Sequence, residues 1–196
     1  MKNIVELFLN AATEYPDNIA IIEKNKQISY RQLARSVKET TAFFRKKGIK
    51  SGDRVLVFVP MSIDLYRIVL ALFHIGATAV FLDEWVSRKR MELCCRLADC
   101  RAFIGIWKAR IYGRFFSKEL KKIPIRLGTR FQKSSSLEEP ENVSLDHTAL
   151  ITFTTGSTGT PKAARRTHGF LKEQFDALIE KMQPQVNDVD LSLIHI

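Results

Sequence analysis

DRVLVFVPMSIDLYRIVLALFHIGATAVFL, residues 53–82, contains two short apolar runs separated by a segment with helical spacing. The runs Asp53–Val59 and Ala77–Leu82 are apolar at nearly every position, which is typical of strands buried on both faces of a parallel sheet. Between them, Ser62 is a suitable N-cap for a helix that continues to Ile75, directly before a glycine. This stretch therefore predicts a strand, a helix and a second strand.

The same alternation continues toward the C-terminus. We expect a helix at about Ser87–Ala98 and a strand at Arg101–Ile106. Residues 107–144 carry a weaker pattern, in which Ile123–Leu127 is a candidate strand and residues 133–140 form an exposed loop. Strands that alternate with helices are the pattern of an α/β fold. The sequence therefore predicts a parallel sheet flanked by helices.

The N-terminal side predicts a smaller unit. Met1–Tyr15 has the spacing of an amphipathic helix, and Ile19–Ile22 and Lys26–Ser29 predict two strands joined by a tight turn. Ser29 and Gln32 form a capping-box pattern. We therefore expect a second helix to begin after Ser29.

A loop rich in hydroxyl groups follows another short apolar run. The run Ala149–Phe153 predicts a buried strand, and TTGSTGTPK, Thr154–Lys162, follows it. Glycines let the backbone turn its N–H groups inward, hydroxyls add donors and a lysine supplies positive charge, so the loop suits a polyphosphate. A Walker A loop is excluded because Gly159 is followed by Thr160 and Pro161. The alternative interpretation is a surface loop that binds no ligand.

Thr167–Met182, after the loop, has the spacing of a helix. Four of its apolar residues are expected to face inward: Phe170, Phe175, Leu178 and Ile179. His168 lies at the start of this helix. A histidine at this place is either a structural residue or a catalytic one, and the sequence leaves both interpretations open.

The composition is that of a globular protein with a basic surface. The 196 residues are 45% hydrophobic, and 31 Lys and Arg against 21 Asp and Glu give a net charge of +10. The basic residues form scattered pairs and triplets, which indicates either solvated helix faces or a surface for a lipid headgroup or for the phosphates of CoA. Because no recognised nucleic-acid-binding pattern occurs, we expect no nucleic-acid partner, and a basic nucleic-acid-binding domain is kept as an alternative.

Three cysteines, Cys94, Cys95 and Cys100, form neither a C-x-x-C pair nor a cluster with histidines. This pattern does not suggest a metal site, and unpaired thiols fit the reducing cytoplasm.

The first 16 residues lack the apolar core of a signal peptide, and the apolar stretch Ile68–Leu82 is too short to span a bilayer. We therefore predict a cytoplasmic, soluble protein. Contact with a membrane, if any, would be peripheral.

The loop resembles the signature of the acyl-adenylating enzymes, approximately [YF]-[ST]-S-G-[ST]-T-G-x-P-K-G. Residues 153–163 match it, except that Thr155 stands where Ser is usual and Ala163 where Gly is usual. Three further segments resemble family elements in the same order: Ile28–Leu33, Gly48–Val59 and Ala71–Val80. The resemblance therefore covers nearly the whole chain.

The resemblance implies an ATP- and Mg²⁺-dependent ligase that converts a carboxylic acid into an acyl-adenylate and releases pyrophosphate. The nucleotide-binding residues would be Thr154, Thr155, Gly156, Ser157, Thr158, Gly159 and Lys162. Lys162 and Thr158 would be catalytic, and Thr158 would also contact the metal ion. The run Arg165–Phe170 is similar to relatives that act on long acyl chains, notably olefin β-lactone synthetases, so a fatty acid is the expected substrate. CoA is the expected acceptor and co-substrate, with a carrier protein or an internal hydroxyl as alternatives.

The resemblance also predicts the domain organisation. Residues 1–190 would be the N-terminal portion of the large AMP-binding domain, so that the fold is a truncated form of that domain. The small C-terminal domain, with its catalytic lysine, would be absent, and this piece alone would be inactive. The alternative is a non-catalytic remnant that binds a nucleotide or an acyl group. The last six residues, LSLIHI, depart from the family pattern, so we interpret residues 191–196 as a non-native tail and assign no role to His195.

Overall fold

The computed structural model describes residues 2–82, 88–115, 117–131, 139–155, 161–185 and 188–189. Within these ranges the chain forms seven helices and eight strands. They are α1 Val5–Glu14, β1 Ile19–Glu23, β2 Lys26–Ser29, α2 Tyr30–Lys46, β3 Arg54–Phe58, α3 Ile63–Ile75, β4 Thr78–Phe81, α4 Arg88–Ala98, β5 Ala102–Gly105, α5 Trp107–Phe115, α6 Lys118–Lys122, β6 Ile125–Leu127, β7 Thr148–Thr155, β8 Pro161–Thr167 and α7 His168–Met182. The proposed tail and most of the predicted loop at residues 133–140 lie outside the described residues.

The central feature is a six-stranded sheet with the order β6-β5-β3-β4-β7-β8. β3 pairs in parallel with both β4 and β5, so Leu56 lies between Val80 and Phe103 in the register. β6 and β7 extend the parallel part on either side, and β8 alone is antiparallel to its neighbour. A separate antiparallel hairpin is formed by β1 and β2. The predicted fold class, a mainly parallel sheet flanked by helices, is confirmed.

Helices cover both faces of this sheet because its central strands are apolar on both faces. Val55 and Val57 pack with α1, α2 and α3 in one core cluster. Leu56 faces the other way, toward Cys94 of α4 and Leu120 of α6. Two buried layers of this kind explain why the strands contain continuous apolar runs rather than alternating ones.

Local signals in the sequence determine where α2 and α3 begin and end. The Ser29 hydroxyl accepts a hydrogen bond from the Gln32 N–H, and the Gln32 side chain accepts one from the Ser29 N–H, which confirms the capping box. The Ser62 hydroxyl accepts from the Leu65 N–H at the start of α3. Gly76 ends α3 in the left-handed conformation, with φ of 76°. Glycine is the residue that adopts this conformation at least cost.

The prediction for the last helix was correct in extent and wrong in orientation. α7 spans the expected residues, but the four side chains predicted to face inward are between 42% and 49% exposed: Phe170, Phe175, Leu178 and Ile179. Within the described part of the chain, α7 contributes Leu171 to the core. An apolar helix face indicates burial only where another element covers it, and the described residues do not cover this face.

Candidate functional site

The predicted phosphate loop connects two strands that pair as a β-hairpin. β7 and β8 pair along their whole length, from Thr148 opposite Thr167 to Thr155 opposite Pro161. The five residues that join them, 156–160, lie outside the described residues. The register nevertheless places both ends of the loop side by side.

The hairpin tip is located at the edge of the sheet where ligands commonly bind. β7 runs parallel to β4, with Val80 opposite Ile151, so the C-terminal end of β7 lies with the C-terminal ends of the other parallel strands. In open α/β sheets, ligands bind outside the carboxyl ends of the strands. Thr155 and Pro161, which flank the loop, therefore lie at this edge of the sheet.

Two cations of β8 lie on the same face of the hairpin, because an even number of positions separates them in the strand. Lys162 is exposed and lies opposite Thr154 in the register, and Arg166 lies opposite Leu150. The Arg166 Nη1 atom donates a hydrogen bond of 2.7 Å to the Thr152 hydroxyl. Arg166 is thus bound to the neighbouring strand, whereas Lys162 lies next to the loop.

The predicted site residues divide into three groups. Thr154 and Thr155 are the last residues of β7, and Lys162 is the second residue of β8. Gly156, Ser157, Thr158 and Gly159 lie outside the described residues. The structure therefore brings Thr154, Thr155 and Lys162 together at the base of the loop, at adjacent positions of one hairpin.

Sequence reasoning missed β8. The strand is on the edge of the sheet and largely exposed, and its sequence PKAARRT has no apolar alternation. No local signal could have identified it, because the hairpin rule requires a strand-like run on both sides of the loop and this segment has none. The Arg166–Thr152 contact follows from this pairing and was not anticipated.

The junction between β8 and α7 is tied to the N-terminus of the chain through His168. The His168 ring is buried, and its Nδ1 atom accepts a hydrogen bond from the Ile4 N–H at 3.2 Å. The ring packs edge-on against Phe73, with centroids 5.9 Å apart. These contacts support the structural interpretation of His168, because its ring is sealed inside the fold.

A second histidine joins this junction to the end of α3. The His168 N–H donates to the His147 carbonyl at 3.0 Å, and the two rings are 6.0 Å apart. His147 Nε2 lies 2.9 Å from the Gly76 carbonyl oxygen. Because a carbonyl only accepts, His147 carries its proton on Nε2. His168, which follows β8, is thereby linked through His147 to Gly76 at the end of α3.

A family model described as "AMP-binding enzyme" matches residues 8–194. The chain belongs to the AMP-binding enzyme family. Its matched region contains the sheet, the hairpin and α7.

Three relatives illustrate the range of this AMP-binding family. The chain is 29% identical to olefin beta-lactone synthetase from Stenotrophomonas maltophilia, covering 96% of this chain and 39% of that protein. It is 28% identical to 2-succinylbenzoate–CoA ligase from Bacillus velezensis, covering 79% and 31%. It is 25% identical to L-proline–[L-prolyl-carrier protein] ligase from Pseudomonas fluorescens, covering 86% and 35%. The chain thus spans at most 39% of the length of these three relatives.

Two solved structures have a fold similar to that of this chain. The N-terminal subdomain of Klebsiella oxytoca NpsA, in complex with 3-hydroxybenzoyl-AMSN, aligns with a TM-score of 0.70 and 25% identity, covering 86% of this chain and 41% of that one. The inhibitor-bound N-terminal domain of FACL13 from Mycobacterium tuberculosis aligns with a TM-score of 0.75 and 22% identity, covering 86% and 45%. The second likeness concerns the fold alone.

The three cysteines of this AMP-binding family member are buried in the core behind the sheet. Burial raises the pKa of Cys95 and Cys100 to about 12 each, so these thiols stay protonated and unreactive.

Among the described residues, no group of three or more His, Cys, Asp or Glu could hold a metal ion. No helix in the described part of the chain has the length and apolar content to cross a bilayer.

Because two of its histidines are buried, we expect this AMP-binding family member to lose stability in mild acid. Burial lowers the pKa of His74 to about 4, helped by the charges of Arg45 and Lys38, and burial lowers the pKa of His168 to about 4, helped by His147. Both are neutral in the folded and unfolded chain above pH 6.5. Below pH 6.5 the unfolded chain binds protons that the folded chain does not bind until about pH 4. The free energy of unfolding should therefore fall by about 2 kcal/mol for each histidine between pH 7.5 and pH 5.

Urea unfolding of the wild type and of His74→Leu at these two pH values tests this prediction. The comparison cancels the contribution of the carboxylates, which both proteins share. We expect the variant to lose about 2 kcal/mol less stability than the wild type on acidification, because only the His74 contribution is removed. Equal losses in the two proteins would show that His74 is not buried in its neutral form.

Proposed function

We propose that the protein is an ATP-dependent ligase that activates a carboxylic acid as its adenylate. In this reaction a carboxylate oxygen of the substrate attacks the α-phosphorus of ATP. The bond between the α-phosphorus and the bridging oxygen breaks, and pyrophosphate leaves. The products are acyl-AMP and pyrophosphate.

One observation carries this proposal beyond family membership. The β7–β8 register places Lys162 opposite Thr154 at the carboxyl edge of the sheet, directly beside the loop of glycines and hydroxyls. A phosphate group of ATP needs several N–H and O–H donors and a positive charge within one small region. This hairpin combines those groups at an edge where α/β proteins bind ligands.

The proposed roles follow from the chemistry of each side chain. Lys162 would neutralise the negative charge that develops on the leaving pyrophosphate, and Thr154, Thr155 and Ser157 would donate hydrogen bonds to phosphate oxygens. Gly156 and Gly159 would let the backbone approach the phosphates closely. We propose Thr158 as a catalytic donor and as the residue nearest to Mg²⁺, since hydroxyl oxygens suit this hard cation. When bound, Mg²⁺ would supply further neutralisation of the phosphate charge.

We further propose that the acid is a fatty acid and that CoA is the acceptor. The similarity to an olefin beta-lactone synthetase over 96% of the chain supports an acyl substrate, and the similarity to a CoA ligase supports the acceptor. Similarity to the L-proline ligase, whose name specifies a carrier protein, leaves a carrier protein as the alternative acceptor. The three unpaired, buried cysteines support a cytoplasmic location.

The decisive experiment is acid-dependent exchange of labelled pyrophosphate into ATP by the complete protein. A panel would include fatty acids of several lengths, aryl acids and amino acids, each with Mg²⁺. We expect exchange with at least one fatty acid and loss of exchange when the acid is omitted. Binding of ATP without exchange for any acid would instead indicate a non-catalytic nucleotide-binding protein and overturn the proposal. Exchange with only aryl or amino acids would keep the reaction and overturn the fatty-acid assignment.

A further inference from the structure

Helix α5 presents three large apolar side chains to solvent. Trp107, Ile111 and Phe115 are 65%, 48% and 64% exposed. They are spaced four residues apart, so they form one stripe along the helix. A contiguous stripe of this kind on a soluble protein usually marks a place where something binds.

Packing on the other side of α5 determines which face is exposed. Ala109 packs against the core cluster that contains Leu120, and Gly113 is buried. A Cβ atom on Gly113 would lie 3.1 Å from Leu120 Cδ1, so the missing side chain allows α5 to lie close to α6. Because Ala109 and Gly113 lie on the face opposite Ile111, close packing of α5 turns the apolar stripe outward.

Positive charge is concentrated in the segment of sequence that contains this stripe. Residues 107–130 contain eight Lys or Arg and one acidic residue, Glu119, a net charge of +7 out of +10 for the chain. Lys108, Arg110, Lys118 and Lys121 are exposed in this region. The Lys108 ammonium lies 5.8 Å from the centre of the Trp107 ring. Lys108 therefore lies beside the stripe, in a strongly basic segment of the chain.

Helix α7 provides a contrast within the same chain. It also has exposed apolar residues, including Leu178 and Ile179. Its charged residues are two lysines and three acids, which give a net charge of −1: Lys172, Glu173, Asp176, Glu180 and Lys181. Exposed apolar surface therefore occurs on both helices, but of these two helices α5 alone lies in a strongly basic segment.

We propose that the stripe of Trp107, Ile111 and Phe115 docks on an anionic lipid bilayer. Helices that lie in a membrane interface combine aromatic and aliphatic residues on one face with Lys and Arg beside it. Anionic headgroups attract the basic residues, and the apolar side chains enter the boundary between headgroups and acyl chains. Nucleic acid shares the anionic charge, but the aliphatic Ile111 at the centre of the stripe offers no ring for a base to stack on.

The emission of Trp107 tests this docking directly. The chain contains two tryptophans, Trp85 and Trp107, so Trp85→Phe leaves one reporter on the stripe. The full chain with this substitution would be titrated with vesicles of phosphatidylcholine alone or mixed with 30% phosphatidylglycerol. We expect a blue shift and cosedimentation with the anionic vesicles, at least tenfold weaker binding to the neutral ones, and weakening by added salt.

Variants separate the apolar and electrostatic contributions. Ile111→Ser with Phe115→Ser should reduce vesicle binding at least tenfold, and Lys108→Glu with Lys118→Glu and Lys121→Glu should remove the preference for anionic lipid. Leu178→Ser with Ile179→Ser on α7 also removes two exposed apolar side chains and should leave binding unchanged. All substituted side chains are exposed, and circular dichroism would verify that each variant is folded.

Four results would overturn the proposal. They are absence of a shift with anionic vesicles, equal loss of binding in the α7 variant, a Trp107 response to duplex RNA at concentrations where vesicles give none, and concentration-dependent self-association that the α5 variant abolishes without lipid. The vesicle assay needs no ATP or acid. It therefore fails or succeeds independently of the proposed ligase activity.

Discussion

Replacement of Lys162 by alanine should lower acid-dependent pyrophosphate exchange at least about 100-fold while leaving the fold intact. The lysine lies opposite Thr154 at the base of the loop. In the proposed reaction it neutralises the charge that develops on the leaving pyrophosphate. Its side chain is exposed on an edge strand and contributes nothing to the core, so its loss should not unfold the protein. The measurement is exchange at saturating acid in a protein that carries the whole family domain, with unfolding curves for both forms.

Arg165→Ala is the matched control for this substitution. Arg165 is also an exposed cation of β8, but it lies an odd number of positions from Lys162 and so projects from the opposite face of the strand. We expect its exchange rate to remain within about threefold of the wild type, because a distant surface charge is largely screened. Normal exchange in Lys162→Ala, or equal losses in the two variants, would contradict the assigned role of Lys162.

Gly76→Ala should destabilise the protein by about 2–5 kcal/mol, a large part of the total stability of an ordinary domain. Gly76 has a φ of 76°, which costs other residues about 1–2 kcal/mol. An added Cβ would also lie 2.7 Å from both the Ser51 hydroxyl and a Val143 methyl group. In addition, the Gly76 carbonyl accepts hydrogen bonds from the Gly52 N–H and from His147, so a shift of this residue would disturb both partners.

Gly52→Ala separates the two causes of this loss. Gly52 has a similar φ of 81°, but a Cβ atom there would meet nothing within 4 Å. The control should therefore show only the conformational cost, about 1–2 kcal/mol. Urea unfolding at pH 7.5 would measure both variants against the wild type. Equal losses would mean that the crowding around Gly76 relaxes without cost.

The elements that the sequence predicted well are those determined by neighbouring residues. The strand before Pro60, the helix capped by Ser62, its end at Gly76 and the following strand all appear within one or two residues of the predicted bounds. Each depends on a local signal: an apolar run, a capping hydroxyl or a glycine that accepts positive φ. The match of the family model to residues 8–194 confirms the family that the loop motif indicated.

The elements that were missed depend on distant partners. β8 is a strand because β7 pairs with it, and its own sequence carries no strand pattern. α5 and α6 lie in the segment that was hard to interpret, and their contact depends on the small size of Gly113 next to Leu120. The outward face of α7 was mispredicted because periodicity shows that a helix has an apolar face and does not show whether another element covers it.

The amino-acid sequence alone therefore determined the fold class and the family, and it supplied the motif that we propose as the phosphate loop. These depend on short motifs, whose backbone preferences act over a few residues. Only the tertiary structure decided that Lys162 lies opposite Thr154, that His168 is sealed against Ile4 and Phe73, and that the apolar stripe of α5 faces solvent. These features arise from contacts between segments far apart in the chain, and local preference carries no information about which segments will meet.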